Sequence, residues 1–316
     1  GWAKNPIDRF VAARHDKARI TPAPEARPEV LLRRASFDLL GLPPSSRDVA
    51  ATRKAFSDAT YGSLVDRLLE SRRFGERWAR YWLDVARFAE SSGFEKDHDR
   101  PDAWHYRDFV IRAFNEDMAY DQFVRLQLAG DHLYPGDSRA TVATGFLVAG
   151  VENLIQTRKD FVQQRYDKID DFVSTVGTGL LGLSLGCARC HDHKYDPVSQ
   201  REYYRIAAAF ASTISAVKPL ENSGKAFKSF VATEATDNKI HMSVSSEPSF
   251  KGLPSIPARV HFLVRGDPDN QRKAMKTGFP RILVRKDSSK WTTGHGNDAM
   301  VAGRVALARW ITDADD

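Results

Sequence analysis

Both cysteines of the chain lie within four residues, in Cys187-Ala-Arg-Cys190, and a histidine follows directly. Two thiols that close cannot staple distant segments, so a chain of 316 residues has to be held by ordinary core packing. The composition can supply it: 42% of residues are hydrophobic and 28% charged, the balance of a folded globular chain. The length suits one large or two modest domains. The net charge of +6 comes from Lys and Arg interleaved with Asp and Glu, which describes a mixed solvated surface and no nucleic-acid groove. No apolar run approaches the about 20 residues of a membrane span. The longest, Val173–Leu185, is shorter and rich in glycine. No signal-peptide pattern is visible. The abrupt start at Gly1-Trp2 and the stop inside a helical pattern, Val301–Ile311, read as the ends of a processed or excised piece.

The first two-thirds of the chain read as helical. Asn5-Pro6 opens a segment with Ile7, Phe10, Val11 and Arg14 at helical spacing. A Pro-rich link, Thr21–Pro28, leads to a helix over Glu29–Leu40 that stops at Gly41 and Pro43-Pro44. Further helices are predicted over Tyr61–Glu70, Glu76–Ala89, Asp102–Asn115, Tyr120–Ala129, Phe161–Gly182 and Arg201–Thr213. In Glu76–Ala89 the aromatic and apolar residues Trp78, Tyr81, Trp82, Val85 and Phe88 are spaced for one core-facing side. The texture changes near residue 215. Ser, Lys, Gly and Pro accumulate, and the alternating runs Lys239–Val244, Ala258–Val264 and Arg281–Val284 predict strands. No internal repeat is present.

Cys187-Ala-Arg-Cys190-His191 has the form C-x-x-C-H, the attachment pattern of c-type haem. Two thiols about one helical turn apart can each form a thioether to one vinyl group, and the adjacent imidazole then lies under the iron. Cys187 and Cys190 become covalent anchors and His191 the proximal ligand. Other uses remain open: a redox dithiol, a zinc site of Cys187, Cys190, His191 and His193, or a disulfide or free thiols. His193 stands too close to His191 to reach the opposite haem face, so hydrogen bonding in support of the site suits it better. Asp192 and Asp196 either support the site likewise or cap the turn before Pro197 and the following helix.

A second candidate is Glu95-Lys96-Asp97-His98-Asp99-Arg100-Pro101-Asp102, whose four acids suit a Ca²⁺ site or an acid/base pair. It lacks the glycine and spacing of an EF-hand, and a solvated loop ahead of a helix capped at Asp102 explains it equally. Trp104 and Tyr106 are candidates for a sugar-stacking platform.

Long stretches of the chain resemble a known family. NPIDRFVAARHDKARITPAPEA, LLRRASFDLLGLPP, LVDRLLESRRFGERWARYWLDVARFAESSGFEKD, RPDAWHYRDFVIRAFNEDMAYDQFVRLQLAGD and GLSLGCARCHDHKYDPVSQREYYRIAAAF are similar to the second planctomycete-specific cytochrome domain. This is a cytochrome-like domain of unknown function, and the likeness spans about residues 5–213. RGDPDN, TGFPRIL and RVALARWITDADD resemble the start of a second planctomycete-specific domain that follows it in family members. The resemblance implies export, an upstream haem domain in many members and a genetic association with polysaccharide breakdown. It carries over Cys187, Cys190, His191, Asp192, His193 and Asp196, with an acidic and aromatic set of Asp84, Glu95, Asp97, Arg100, Pro101, Trp104, Arg107 and Asp108. The family pattern has other residues, often Arg, where His98 and His105 stand, and commonly an acid at the position of His132. No distal haem ligand follows from it. By residue type the distal candidates are His98, His105, His132 and, among the methionines of the helical region, Met118.

The expected architecture is therefore mainly α. A helical cytochrome-like domain over 1–215 precedes a β-rich domain over 216–300 and the first helix, 301–316, of a truncated further domain. The expected function is a periplasmic or secreted c-type haem protein that transfers electrons or performs haem-dependent oxidation. Its partners would be a redox protein, another haem domain or a second chain from the same precursor, and possible contact with polysaccharide belongs to the same picture. The rival class is a non-haem polysaccharide-binding or hydrolytic module with a structural or metal-holding Cys/His/Asp cluster.

Overall fold

The computed structural model describes residues 2–94, 96–153, 157, 159–220, 227–241, 255–285, 289–292 and 302–314. The chain divides into two compact units, 1–74 and 75–316. In the first, α1 (Pro6–Ala18) begins where the Asn5 side chain and Asp8 form a reciprocal capping box behind Pro6. It buries no residue. Helices α2 (Pro28–Leu40), α3 (Ser46–Lys54) and α4 (Asp58–Leu69) enclose a small core of Leu32, Ala35, Leu64 and Leu68, flanked by Val49 and Tyr61.

The second unit holds the main core. Helix α5 (Arg72–Val85) spans the division, and α6 (Trp104–Asn115), α7 (Tyr120–Leu133), α8 (Ser138–Ala143), α9 (Gly145–Val148) and α10 (Phe161–Val176) follow. On α5 the inward stripe is Gly75, Ala79, Leu83 and, just beyond the helix, Ala86. Trp82 reaches the core between Phe123 and Phe146, with ring centroids 4.8 and 5.6 Å away. Trp78, Tyr81 and Val85 instead face outward. The expected single aromatic face is corrected accordingly: small residues let α5 approach its neighbours, and three of the large side chains fall on the other side. Gln127 is the polar centre of this core. It accepts from Trp82 Nε1 and the Tyr106 hydroxyl, each at 2.7 Å, and donates to the Phe123 carbonyl.

Helix α10 gives way to a π turn, Gly177–Leu181, and then a 3₁₀ turn, Leu185–Arg189, which carries the cysteine motif. Helix α11 (Gln200–Ala207) follows, with Ser199 and Glu202 closing its capping box. The predicted helix over Arg201–Thr213 is shorter than its pattern. Thr213 already opens β1 (Thr213–Pro219), which pairs antiparallel with β2 (Lys228–Glu234). Two smaller antiparallel pairs join β3 (Lys239–His241) to β4 (Ser255–Pro257) and β5 (His261–Leu263) to β6 (Gln271–Ala274). Arg281–Leu283 forms a 3₁₀ turn in place of the expected strand, started by extended Pro280. The Val244 end of the predicted Lys239–Val244 strand lies outside the described residues.

After α12 (Ser289–Thr292), helix α13 (Ala302–Ile311) lays Ala306, Leu307, Ala308 and Trp310 into the same core as α7. The change of texture near 215 is thus a change of secondary structure within one compact unit. The fold is mainly α with small antiparallel sheets in its C-terminal part.

Candidate functional site

The cysteine motif faces outward because a 3₁₀ turn has three residues per turn, so side chains three apart eclipse one another. Leu185 and Ala188 share the inner side and are buried. Cys187 and Cys190 share the outer side, both exposed and both unbridged. Gly266 closes over the second thiol: a Cβ there would stand 2.7 Å from Cys190 Sγ. Arg189 points the other way, to Asp167 at 2.7 Å and Asp170 at 3.6 Å on α10. Its carbonyl accepts from Gln200 Nε2 and the Tyr204 hydroxyl, each at 2.9 Å.

The two histidines of the loop have opposite chemistry. His191 is exposed, and its Nδ1 lies 2.8 Å from the Asp192 carbonyl oxygen. A carbonyl can only accept, so Nδ1 carries the proton and Nε2 of the neutral ring keeps its lone pair. His193 has only 7% of its side chain exposed. Its Nδ1 accepts from the backbone N–H groups of Tyr195 and Asp196, at 3.1 and 2.7 Å. Nε2 therefore bears the proton, 3.6 Å from Asp196 Oδ2. His193 is a loop fastener with no lone pair to give a metal.

The acids of the motif brace the same turn. Asp192 Oδ1 accepts from Gln200 N at 2.7 Å, at the start of α11. Asp196 Oδ2 accepts from Ser184 N at 3.0 Å, tying the far end of the loop to the entrance of the 3₁₀ turn.

Among the described residues, no three His, Cys, Asp or Glu side chains converge to hold a metal ion. The zinc tetrad therefore does not assemble, since His193 turns inward while the thiols turn outward.

The acidic and aromatic set lies in other surroundings, and Glu95 falls outside the described residues. Asp97 accepts from Gly93 N at 2.7 Å. Hydrogen bonds from Ser91 and Gly93 hold its carboxyl below the usual range. The Arg100 side chain is nearly buried and donates to the carbonyls of Ala149 and Gly150, each at 3.0 Å. Arg107 pairs with Glu90 at 2.6 Å. Trp104 is stacked on His105 at 3.7 Å between centroids, with Phe227 at the edge of both rings. Tyr106 is buried with its hydroxyl on Gln127, so a Trp104/Tyr106 sugar platform is corrected: position 106 turns into the core.

Of the distal candidates, His98 sits in the loop bridged at Ser91 and Asp99. Burial lowers the pKa of His105. His132 lies 3.6 Å from Asp131 and 3.8 Å from Glu234, its pKa lowered by burial and then by Arg304. Met118 packs against the main core. Among the described residues, none of the four shares a hydrogen bond, ion pair or ring contact with the 184–198 loop. Gly266, Gln200 and the Asp167/Asp170 pair lie outside the motifs that the sequence marks. Only the i, i+3 spacing of those two acids on one helix face hinted at a shared role.

A helical region ending in this turn, with C-x-x-C-H at its exposed rim, agrees with the family match over residues 6–215, PSCyt2, described as a protein of unknown function (DUF1549). The chain belongs to the PSCyt2 family. No curated protein and no solved structure matches it. The PSCyt2 match ends within β1, so it takes in the whole cysteine turn and α11 but not the paired strands beyond.

Proposed function

We propose that this PSCyt2 chain is an exported c-type haem protein, with thioethers at Cys187 and Cys190 and His191 as proximal ligand. One observation carries the reading. Two outward, unbridged thiols stand beside an imidazole whose Nδ1–H is committed to the Asp192 carbonyl, which leaves Nε2 free to bind a metal. Attachment needs no oxidant. Each thiol adds across a vinyl double bond, forming a carbon–sulfur bond, and its hydrogen goes to the neighbouring carbon. When bound, haem supplies one-electron transfer or, with an open sixth position, oxidation chemistry.

The chain's own residues set the conditions. Asp192 selects the His191 tautomer, His193 and Asp196 hold the loop in shape, and Gly266 leaves room beside Cys190. A rim with both thiols and His191 exposed suits exchange with a redox protein, another haem domain or a sister chain. A periplasmic or secreted location and a link to polysaccharide breakdown belong to the same proposal.

The test is expression in a host competent for haem attachment. The expected product is coloured, gives a pyridine haemochrome spectrum of two thioethers, and adds the mass of one haem to the peptide containing 187–191. Cys187→Ala with Cys190→Ala removes that mass. His191→Ala keeps the mass but alters the spectrum. A colourless product with an unmodified peptide overturns the proposal, and a stoichiometric metal on it supports the non-haem rival.

A further inference from the structure

A second set of polar groups, on the same compact unit, is unrelated to the thiols. A cavity of about 470 Å³ opens between α10 and the β1 and β3 strands. That is within the roughly 300–1,000 Å³ range of small-molecule sites. Phe161, Ala235 and Ile240 give it an apolar floor, with Ile214 packed beside them. Its charged lining is Arg165, Lys168 and Lys239 against Glu152 and Asp237.

The charges are unevenly matched. Asp237 is engaged by His241, Nε2 to Oδ2 at 2.6 Å. The guanidinium of Arg165 spends its donors on the carbonyls of Phe210, Ala211 and Thr213 and, among the described residues, hydrogen-bonds no carboxylate. Glu152 is shared at 3.9 Å between Lys168 and Arg100, too far for a hydrogen bond to either.

Behind Lys168 lies a second charged group. Arg87 pairs with Asp171, and both act electrostatically on Lys168, as do Arg100 and Glu152. Asp97 acts on Arg100 from the surface, so among the described residues the buried cations Arg87, Arg100 and Lys168 share Glu152, Asp171 and this exposed acid. Arg87 holds a left-handed backbone, φ 57°, a conformation costly for any residue but glycine. Gly150 makes room for its side chain: a Cβ there would stand 2.6 Å from Arg87 Nη1.

Among the described residues, several buried atoms of this cluster have no hydrogen-bond partner: Lys168 Nζ, Arg87 Nε and Nη2, and Asp171 Oδ2, with Ser215 Oγ on the cavity wall. Lys168 and Arg87 are donors only, so the nitrogens call for an acceptor. A buried ammonium without one is costly enough that native proteins rarely leave it so.

We propose that this cavity binds a small oxyanion-bearing molecule, a carboxylate, phosphate or sulfate on a compact body, with Lys168 as its counter-charge. The anion would accept from Lys168 Nζ and Ser215 Oγ, two buried cavity-wall atoms without a hydrogen-bond partner among the described residues. Its body would rest on Phe161 and Ile214. The site is independent of haem at the cysteine turn.

The experiment is titration of the full chain with sodium phosphate, sodium sulfate and sodium acetate, followed by calorimetry and thermal unfolding, against sodium chloride at equal ionic strength. The expected result is saturable binding and a rise in Tm with at least one oxyanion, beyond the chloride control. The ranking of the three identifies the group. Lys168→Met should weaken binding by about tenfold or more. Lys168→Arg should restore part of it, and Cys187→Ala with Cys190→Ala should leave it unchanged. Ile214→Trp, which fills the cavity without touching a charge, should also abolish binding and serves if Lys168→Met does not fold. Shifts no larger than those of chloride, or equal binding by Lys168→Met and Ile214→Trp, would overturn the proposal and leave the cavity to water.

Discussion

Two groups of buried charge in the same compact unit are built to different standards. Arg304, on α13, is wholly buried, and every nitrogen of its guanidinium is engaged. Nη1 and Nη2 meet Asp131 at 3.0 and 2.9 Å, Nη1 also meets the Leu128 carbonyl, and Nε meets Glu234. Lys168 stands 3.9 Å from Glu152, and among the described residues its Nζ and two nitrogens of Arg87 are left without a hydrogen-bond partner. A buried ion whose bonds are complete serves to join elements, here α13 to α7 and β2. One whose bonds are incomplete recovers less of its desolvation cost.

The largest expected effect tests the closed group. Arg304→Met strands Asp131 and Glu234 in the core and should cost about 3–5 kcal/mol in chemical denaturation. A loss below about 1 kcal/mol would erase the distinction from the Lys168 group.

Glu202 provides a second closed case and a pH signature. Its carboxylate takes the Arg281 amide at 2.9 Å, the Ser199 amide at 2.9 Å and the Ser199 hydroxyl at 2.7 Å. Burial alone would raise its pKa, but these donors hold it down to about 2, against an ordinary 4.5. Because the folded value is depressed, the stabilisation is complete above pH 4.5 and is lost as pH falls from 4.5 towards 2. Glu202→Gln should cost about 1–3 kcal/mol at neutral pH and flatten the acid limb of stability in that window. An unchanged acid limb would count against the bonding described.

The paired histidines repeat the contrast on a smaller scale. His193→Ala removes the acceptor of two backbone N–H groups and should cost about 1–2 kcal/mol. His191→Ala, on an exposed ring, should change apo stability by no more than about 0.5 kcal/mol. The reverse order would mean that the loop is held by His191.

The smallest change is expected at the open group. Without an anion, Lys168→Met should be neutral or slightly stabilising, within about 1 kcal/mol. Lys168 has its pKa lowered from 10.5, chiefly by burial, with Glu152 and Asp171 opposing and Arg100 and Arg87 adding to the effect. The folded chain therefore releases this proton before the unfolded one, so stability gains from Lys168 as pH rises towards 10.5. Lys168→Met should remove that gain, read as the slope of stability against pH on the alkaline side.

Local features of the chain were readable one residue at a time. The longer helices followed from apolar spacing, and Asn5-Pro6 marked the start of α1, whereas the short α3, α8 and α9 carry too few turns to show a period. The C-x-x-C-H pattern could be read because its chemistry depends on neighbours along the chain, and the 3₁₀ turn realises that spacing directly. The aromatic stripe of α5 misled, since periodicity places residues on a common face but does not say which face meets the core. Arg281–Val284 misled too: three apolar residues in a row carry no sign of whether a partner strand will be there.

The tautomers of His191 and His193 were beyond the sequence, because they depend on which oxygen or N–H the fold brings to each nitrogen. So was the cavity. Its contributors, from Glu152 through Lys168 to Ile214 and Asp237, are spread over some eighty residues and share no spacing. Covalent order along the chain decides what repeats at short range. Which distant charges are buried together, and whether their hydrogen bonds close, is decided only when α10 packs against the strands that follow it.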